Sequence, residues 1–198
     1  MHMSTLKRRI SVLISAIFLF CVFLLGCGNT KYDTTTLEFK NDGSFILHIV
    51  DSFDESRYSL QEFTALNEAE VNVYNSYGKG KVTIENTSLE NGVISVDMRY
   101  SDDDAYFDLN HVVLFYGNIK SAKNAGYNLV GKVNGVGGEG ALDQVTFKNM
   151  ENQKVVVVSE QIEVVLPGKI LYVGEGVTLT KSNAAKIEGE GLHYIICE

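Results

Sequence analysis

Cysteine and proline are scarce in this sequence, at three and one among 198 residues. Cys21 lies inside an apolar N-terminal run, Cys27 ends that run, and Cys197 stands next to the C-terminus. If Cys27 is modified and Cys21 is removed with the run, Cys197 has no partner. An intramolecular disulfide is then excluded, and packing alone must hold the fold. The single proline, Pro167, and eighteen glycines point to many tight turns within regular elements.

Several motifs are missing as well. There is no Cys-x-x-Cys or His-Glu-x-x-His, and His48, His111 and His193 have no metal-pair spacing. No Gly-x-Ser-x-Gly elbow marks a nucleophile. The glycine-rich stretch 131–140 does not end in Gly-Lys-Ser/Thr and so is not a phosphate loop. No repeat of fixed period is visible, and no cofactor is implied.

Positive charge is in deficit too. The chain carries 17 basic and 25 acidic side chains, a formal charge of −8. Residues 1–26 hold Lys7, Arg8 and Arg9 and no acid, so a chain beginning at Cys27 keeps 14 bases against 25 acids, net −11. Nucleic acid and anionic polymers are repelled by such a surface; a cationic partner or a bound metal ion is permitted.

What is present begins with a three-part N-terminus. Lys7-Arg8-Arg9 precedes 16 mostly apolar residues, Ile10 to Leu25, and then Gly26-Cys27. A spanning helix needs about 20 apolar residues, so the run fits the hydrophobic part of a signal peptide better. Leu24-Leu25-Gly26-Cys27 resembles the bacterial lipobox, in which a small residue lets the peptidase cleave before a diacylglyceryl cysteine. Cys21, preceded by bulky Phe20, could not serve. Two acyl chains suffice for stable attachment at about 0.8 kcal/mol per buried methylene. The expected divisions are a cleaved signal peptide (1–26), a lipidated cysteine with a polar tether (27–36) and one extracytoplasmic domain (37–198). The alternatives are an ordinary signal peptide cleaved elsewhere or an uncleaved short anchor.

The domain reads as α+β. Asn41-Asp42-Gly43 and Asn91-Gly92 each separate two alternating apolar segments and mark hairpins. Ser59-Leu60-Gln61-Glu62 is a capping box, with Tyr58 and Phe63 at the staple positions. It opens a helix to about Asn75 whose Leu60, Phe63, Leu66 and Val73 are expected to face inward. Ser101 with Asp104 suggests a second cap for a helix through Leu109, and Asn118 a third for a helix ending at Gly126. Val112–Tyr116, Val145–Phe147, Val155–Val158, Ile162–Leu166, Ile170–Val173, Val177–Leu179 and Leu192–Ile196 read as strands, and 131–140 as a loop. An antiparallel sheet with two or three short helices on one face follows, β-rich toward the C-terminus.

Phe115-Tyr116-Gly117-Asn118 with Ala125-Gly126-Tyr127, and Leu166-Pro167-Gly168-Lys169-Ile170-Leu171-Tyr172, resemble stretches of small uncharacterised lipoproteins of Gram-positive gut bacteria. The resemblance covers most of the mature chain. It implies an extracytoplasmic, lipid-anchored location at the cell membrane, but no activity and no catalytic residue.

Two side-chain groups remain. Asp102, Asp103, Asp104 and Asp108 could offer oxygens to a hard cation, or simply complement a helix N-terminus. Tyr100, Tyr106, Tyr116 and Tyr127 could form a contact surface, or pack in the core. A non-enzymatic module binding a surface protein or small ligand is the leading functional reading. An envelope hydrolase with an unrecognised site and a transport-linked solute receptor are the alternatives.

Overall fold

The two turn dipeptides do as their chemistry requires. Gly43 has a φ of +92°, and Asn91 and Gly92 have φ values of 54° and 76°, the paired positive values of a tight hairpin turn. They join β1 (Thr36–Phe39) to β2 (Phe45–Ser52) and β3 (Val82–Glu90) to β4 (Val93–Tyr100). The structure is a computed structural model that describes residues 32–198, and Tyr32–Glu198 form one compact unit. The signal segment, Cys21, Gly26 and Cys27 lie outside the described residues.

Between the hairpins runs α1 (Leu60–Tyr77), closed at its N-terminus by the Ser59–Glu62 capping box. Tyr58 and Phe63 do not staple directly; Phe53 lies between them, with ring centroids 6.4 and 5.7 Å away. After β4 come α2 (Asp103–Asn110), β5 (Leu114–Asn118), α3 (Ile119–Asn124), β6 (Val133–Gly135) and α4 (Gln144–Asn149). The C-terminal part is β7 (Lys154–Val158), β8 (Glu163–Val165), β9 (Ile170–Gly174), β10 (Val177–Lys181), β11 (Ala184–Ile187) and β12 (His193–Cys197). Among the described residues, no helix is long and apolar enough to cross a membrane.

The α+β class holds, and the strand-rich C-terminal half with it. The strands form two sheets, however, instead of one. The larger has the order β10-β11-β8-β1-β2-β4-β3, the smaller β5-β7-β12-β9-β6. Pairing is antiparallel throughout except between β1 and β8, which run parallel.

Alternation along β7 explains the layering. Val156 and Val158 join Leu37, Phe39, Phe45 and Leu47 in a core between the sheets. Val155 and Val157 point the other way, into a second core with Ile119 and Ala122 of α3, Phe147 of α4, Leu129 and Leu142. The smaller sheet is thus buried on both faces, which is why Val155–Val158 is a continuous apolar run. The larger sheet buries one face, under the smaller sheet and under Val71 and Tyr74 of α1 and Ala105 and Tyr106 of α2. Its other face carries Glu38, His48 and Asp97.

Several local expectations need correction. Val145–Phe147 is not a strand but part of α4, because the Asp143 carboxylate accepts from the Val145 and Thr146 N–H groups, both at 2.8 Å. A cap of that kind outweighs the β preference of a Val-Thr pair. The 131–140 loop contains β6, whose short ladder to β9 begins at Val133↔Gly174. The second helix is capped by Asp102, which accepts from Ala105 N–H at 2.9 Å; Ser101 instead donates to Asp102 and accepts from Lys81 N–H. Strand β11, unmarked in the sequence by any long apolar run, closes a hairpin with β10.

Tyr32 and Thr35, just before β1, are attached to the domain. Thr35 Oγ1 accepts from Val50 N–H at 3.1 Å and donates to Val50 O at 3.2 Å, extending the β1–β2 ladder by a side chain. Tyr32 lies over His48, with ring centroids 4.3 Å apart.

Candidate functional site

The aspartates do not converge on a cation. Asp102 is spent on the cap of α2, and Asp103 accepts the Tyr116 N–H at 3.2 Å. Burial is the main influence raising the Asp103 carboxyl above its ordinary value, opposed by that hydrogen bond. Asp104 and Asp108 lie exposed on the helix. Among the described residues, no group of three or more His, Cys, Asp or Glu side chains is gathered to hold a metal.

The four tyrosines divide. Tyr100 and Tyr106 are core residues and present no surface to a partner, which corrects the interface reading for both. They pack edge-on with centroids 5.1 Å apart, and Phe45 lies 5.6 Å from each. Burial pushes the Tyr100 phenol up to about 12, and Tyr106 further still with Glu160 as acceptor at 2.7 Å. Tyr116 is half-buried and donates to Lys40 O at 3.1 Å; Tyr127 is half-buried against Phe115. An edge-to-face aromatic cluster is worth about 0.5–1.5 kcal/mol per pair beyond area burial, so these rings serve stability.

The histidines stay apart. His111 caps the C-terminus of α2 in the left-handed region. His193 is buried in β12, its Nδ1–H donating to Glu175 O at 2.8 Å. Gly176 is required there: at φ +74°, a Cβ would fall 2.7 Å from the imidazole and 2.2 Å from Glu188 O. Cys197, on the same strand, is buried, and burial pushes its thiol up to about 11. A thiol held protonated in this way is inert as a nucleophile.

His48 has the richest surroundings, and spacing alone did not mark it. β1, β2 and β4 place Glu38, His48 and Asp97 side by side on one face. Nδ1 of His48 lies 2.7 Å from Asp97 and Nε2 3.1 Å from Glu38, whose other oxygen meets Lys40 at 2.6 Å. Both ring nitrogens are therefore occupied. Each ring nitrogen thus faces a carboxylate and neither is turned toward a cleft, so the group serves as a structural cluster on the sheet face. Burial raises the Glu38 carboxyl, but hydrogen bonds from Lys40 and His48 outweigh it and hold the group below its usual range. Tyr32, over the His48 ring, is pushed up to about 12, with burial the largest cause and the nearby Glu38 carboxylate next.

The clefts are equally sparing of chemistry. One of about 850 Å³ lies along β6 and β9 beside Lys132, Glu175, Leu192 and Tyr194, and one of about 510 Å³ lies beside Glu139 and Lys169. A third, about 360 Å³, separates α1 from β3. None of these three is lined by a histidine or cysteine.

The least expected feature is on α1. Helical spacing predicts that Leu66 and Val73 face inward, yet they are 72% and 59% exposed, and Tyr77 is 74% exposed. The inward side chains are instead Val71 and Tyr74, with Leu60 and Phe63 partly buried. At 3.6 residues per turn, positions 66, 73 and 77 fall within about 40° of one another, well away from Val71. The helix thus has two apolar stripes, one packed and one in water. Periodicity counts both, and only the position of the sheet beneath decides between them. Full burial of one such side chain is worth about 1.5–3 kcal/mol, so a partner able to cover three of them has a substantial driving force.

Comparison with protein-family models, curated proteins and solved structures found no match to this chain.

Proposed function

We propose that this chain is a lipid-anchored, extracytoplasmic binding module of the kind its N-terminus and its resemblance to small Gram-positive lipoproteins suggest. It docks a partner on the free face of α1 and performs no catalysis. The observation that carries the binding reading is the exposure of Leu66, Val73 and Tyr77 along a single line of a helix otherwise secured to the core. Large contiguous apolar patches rimmed by polar residues mark interaction sites. Against an enzyme stand the doubly occupied imidazole of His48, the protonated thiol of Cys197 and three clefts lined by neither histidine nor cysteine.

The anchor rests on Lys7-Arg8-Arg9, the 16-residue apolar run and Gly26-Cys27. Mass spectrometry of membrane-extracted protein is expected to find diacylglyceryl on an N-terminal Cys27, and Cys27→Ala to leave the membrane fraction. A different mature N-terminus, or Cys27→Ala remaining membrane-bound, overturns it. For docking, a photo-crosslinking residue at position 73 in intact cells is expected to trap one discrete species. The same residue at exposed Thr178 of β10 is expected to trap none. Equal yields from both positions would refute the α1 surface.

A further inference from the structure

Charge identifies the partner class. α1 holds Glu62, Glu68 and Glu70 and no lysine or arginine; α2 holds Asp103, Asp104 and Asp108 and again no base. The two helices are neighbours: Val71 and Tyr74 of α1 share one core with Ala105 and Tyr106 of α2. Tyr74 of α1 lies in the field of Asp108, Asp102 and Asp104, and burial together with those carboxylates raises its phenol. Tyr100, which accepts a hydrogen bond from Asn110 of α2, feels Glu70 of α1. Among the described residues, Glu68, Glu70, Asp104 and Asp108 meet no basic side chain. On α2 itself, Phe107 is 48% exposed, between Asp104 and Asp108 in the chain. Glu70 lies about 40° from Leu66 around α1 at 3.6 residues per turn, so the exposed stripe has an acid without an ion-pair partner at its side, and neighbouring α2 adds Asp104 and Asp108.

We propose, resting on the binding reading above, that the α1–α2 face docks a cationic amphipathic segment of another polypeptide. Its apolar side would lie on Leu66, Val73 and Tyr77, and its lysines or arginines would meet Glu70, Asp104 and Asp108. A second copy of this chain would bring the same acids against themselves, and like charges in apposition disfavour that contact. An anionic bilayer is repelled on the same ground. A basic partner gains on both counts: it supplies the missing counter-charge and covers the stripe, in the manner of an amphipathic segment laid on a receptive apolar face.

The test uses the full lipidated chain in nanodiscs of zwitterionic lipid. Two synthetic probes are titrated onto it, an amphipathic peptide of leucine and lysine and its leucine–glutamate counterpart. The lysine peptide is expected to bind saturably, with affinity falling as salt rises, and the glutamate peptide not to bind. Leu66→Asn with Val73→Asn should weaken the lysine peptide about tenfold or more. Glu70→Gln with Asp108→Asn should weaken it by roughly three- to tenfold. Glu151→Gln with Glu190→Gln, an equal charge change elsewhere, should leave affinity within about twofold.

Equal weakening by the control pair would reduce the interaction to net charge and overturn the site. Binding of both peptides alike overturns the charge assignment. If neither peptide binds while crosslinking at position 73 persists in cells, the partner class falls and the docking surface stands. Concentration-dependent self-association that Leu66→Asn abolishes would show a second copy on this face. Binding of the chain's domain to anionic nanodiscs through the same residues would show a bilayer instead. Either result overturns the proposal.

Discussion

The two sheets are built from similar residues and live in different solvents. The five-stranded sheet is covered on both faces, so β7 and β12 are apolar or buried at nearly every position. The seven-stranded sheet is covered on one, and its other face carries Glu38, His48, Asp97 and Arg99, held by ion pairs. Burial on two faces makes a strand sensitive to volume and to every polar atom. Burial on one makes it sensitive on alternate residues and leaves the rest to electrostatics.

The sharpest way to break that contrast is Ile195→Ala, in the middle strand of the small sheet. It opens a cavity at a fully buried site and is expected to cost about 2–5 kcal/mol, measured by chemical denaturation. Val157→Thr, which places a hydroxyl in the second core, should cost roughly 1–3 kcal/mol. Val50→Thr, on the wetter side of the larger sheet, should stay within about 0.5 kcal/mol. Equal losses from Val157→Thr and Val50→Thr would remove the distinction between the sheets.

The ion cluster gives a pH-dependent counterpart. The folded Glu38 carboxyl lies below its ordinary value of 4.5, so its contribution is complete above 4.5 and disappears as pH falls through the lower folded value. Urea midpoints of wild type should therefore drop more steeply on acidification below 4.5 than those of Glu38→Gln. Parallel profiles would show that the Lys40 and His48 bonds add nothing to stability. The smallest effect is expected at Leu66→Gln, within about 0.5 kcal/mol, because the residue touches no core. A loss above 2 kcal/mol would mean that the free stripe of α1 is structural after all.

Much of the fold could be read from short-range chemistry. Asp42-Gly43 and Asn91-Gly92 specify positive φ whatever surrounds them, and the Ser59–Glu62 and Asn118 caps name their own helices. The failures are those of burial. Leu66 and Val73 satisfy helical spacing yet face water, since spacing defines a stripe but not which stripe meets the sheet. Tyr100 and Tyr106 could be core or surface by composition alone; the packing of α2 against β4 made them core. His48 has no motif because its partners come from strands 10 and 49 residues away in sequence.

By itself, the sequence determined the two hairpin turns, the starts of α1 and α3, the net charge and the apolar run before Cys27 that motivates the anchor. All of these depend on neighbouring residues or on composition. Only the tertiary structure decided that there are two sheets, that one is wet on a face, and that α1 leaves Leu66, Val73 and Tyr77 uncovered. Each of those depends on which surfaces meet across long sequence separations, and local periodicity is the same for an apolar stripe that finds a partner within the domain and for one that must find it elsewhere.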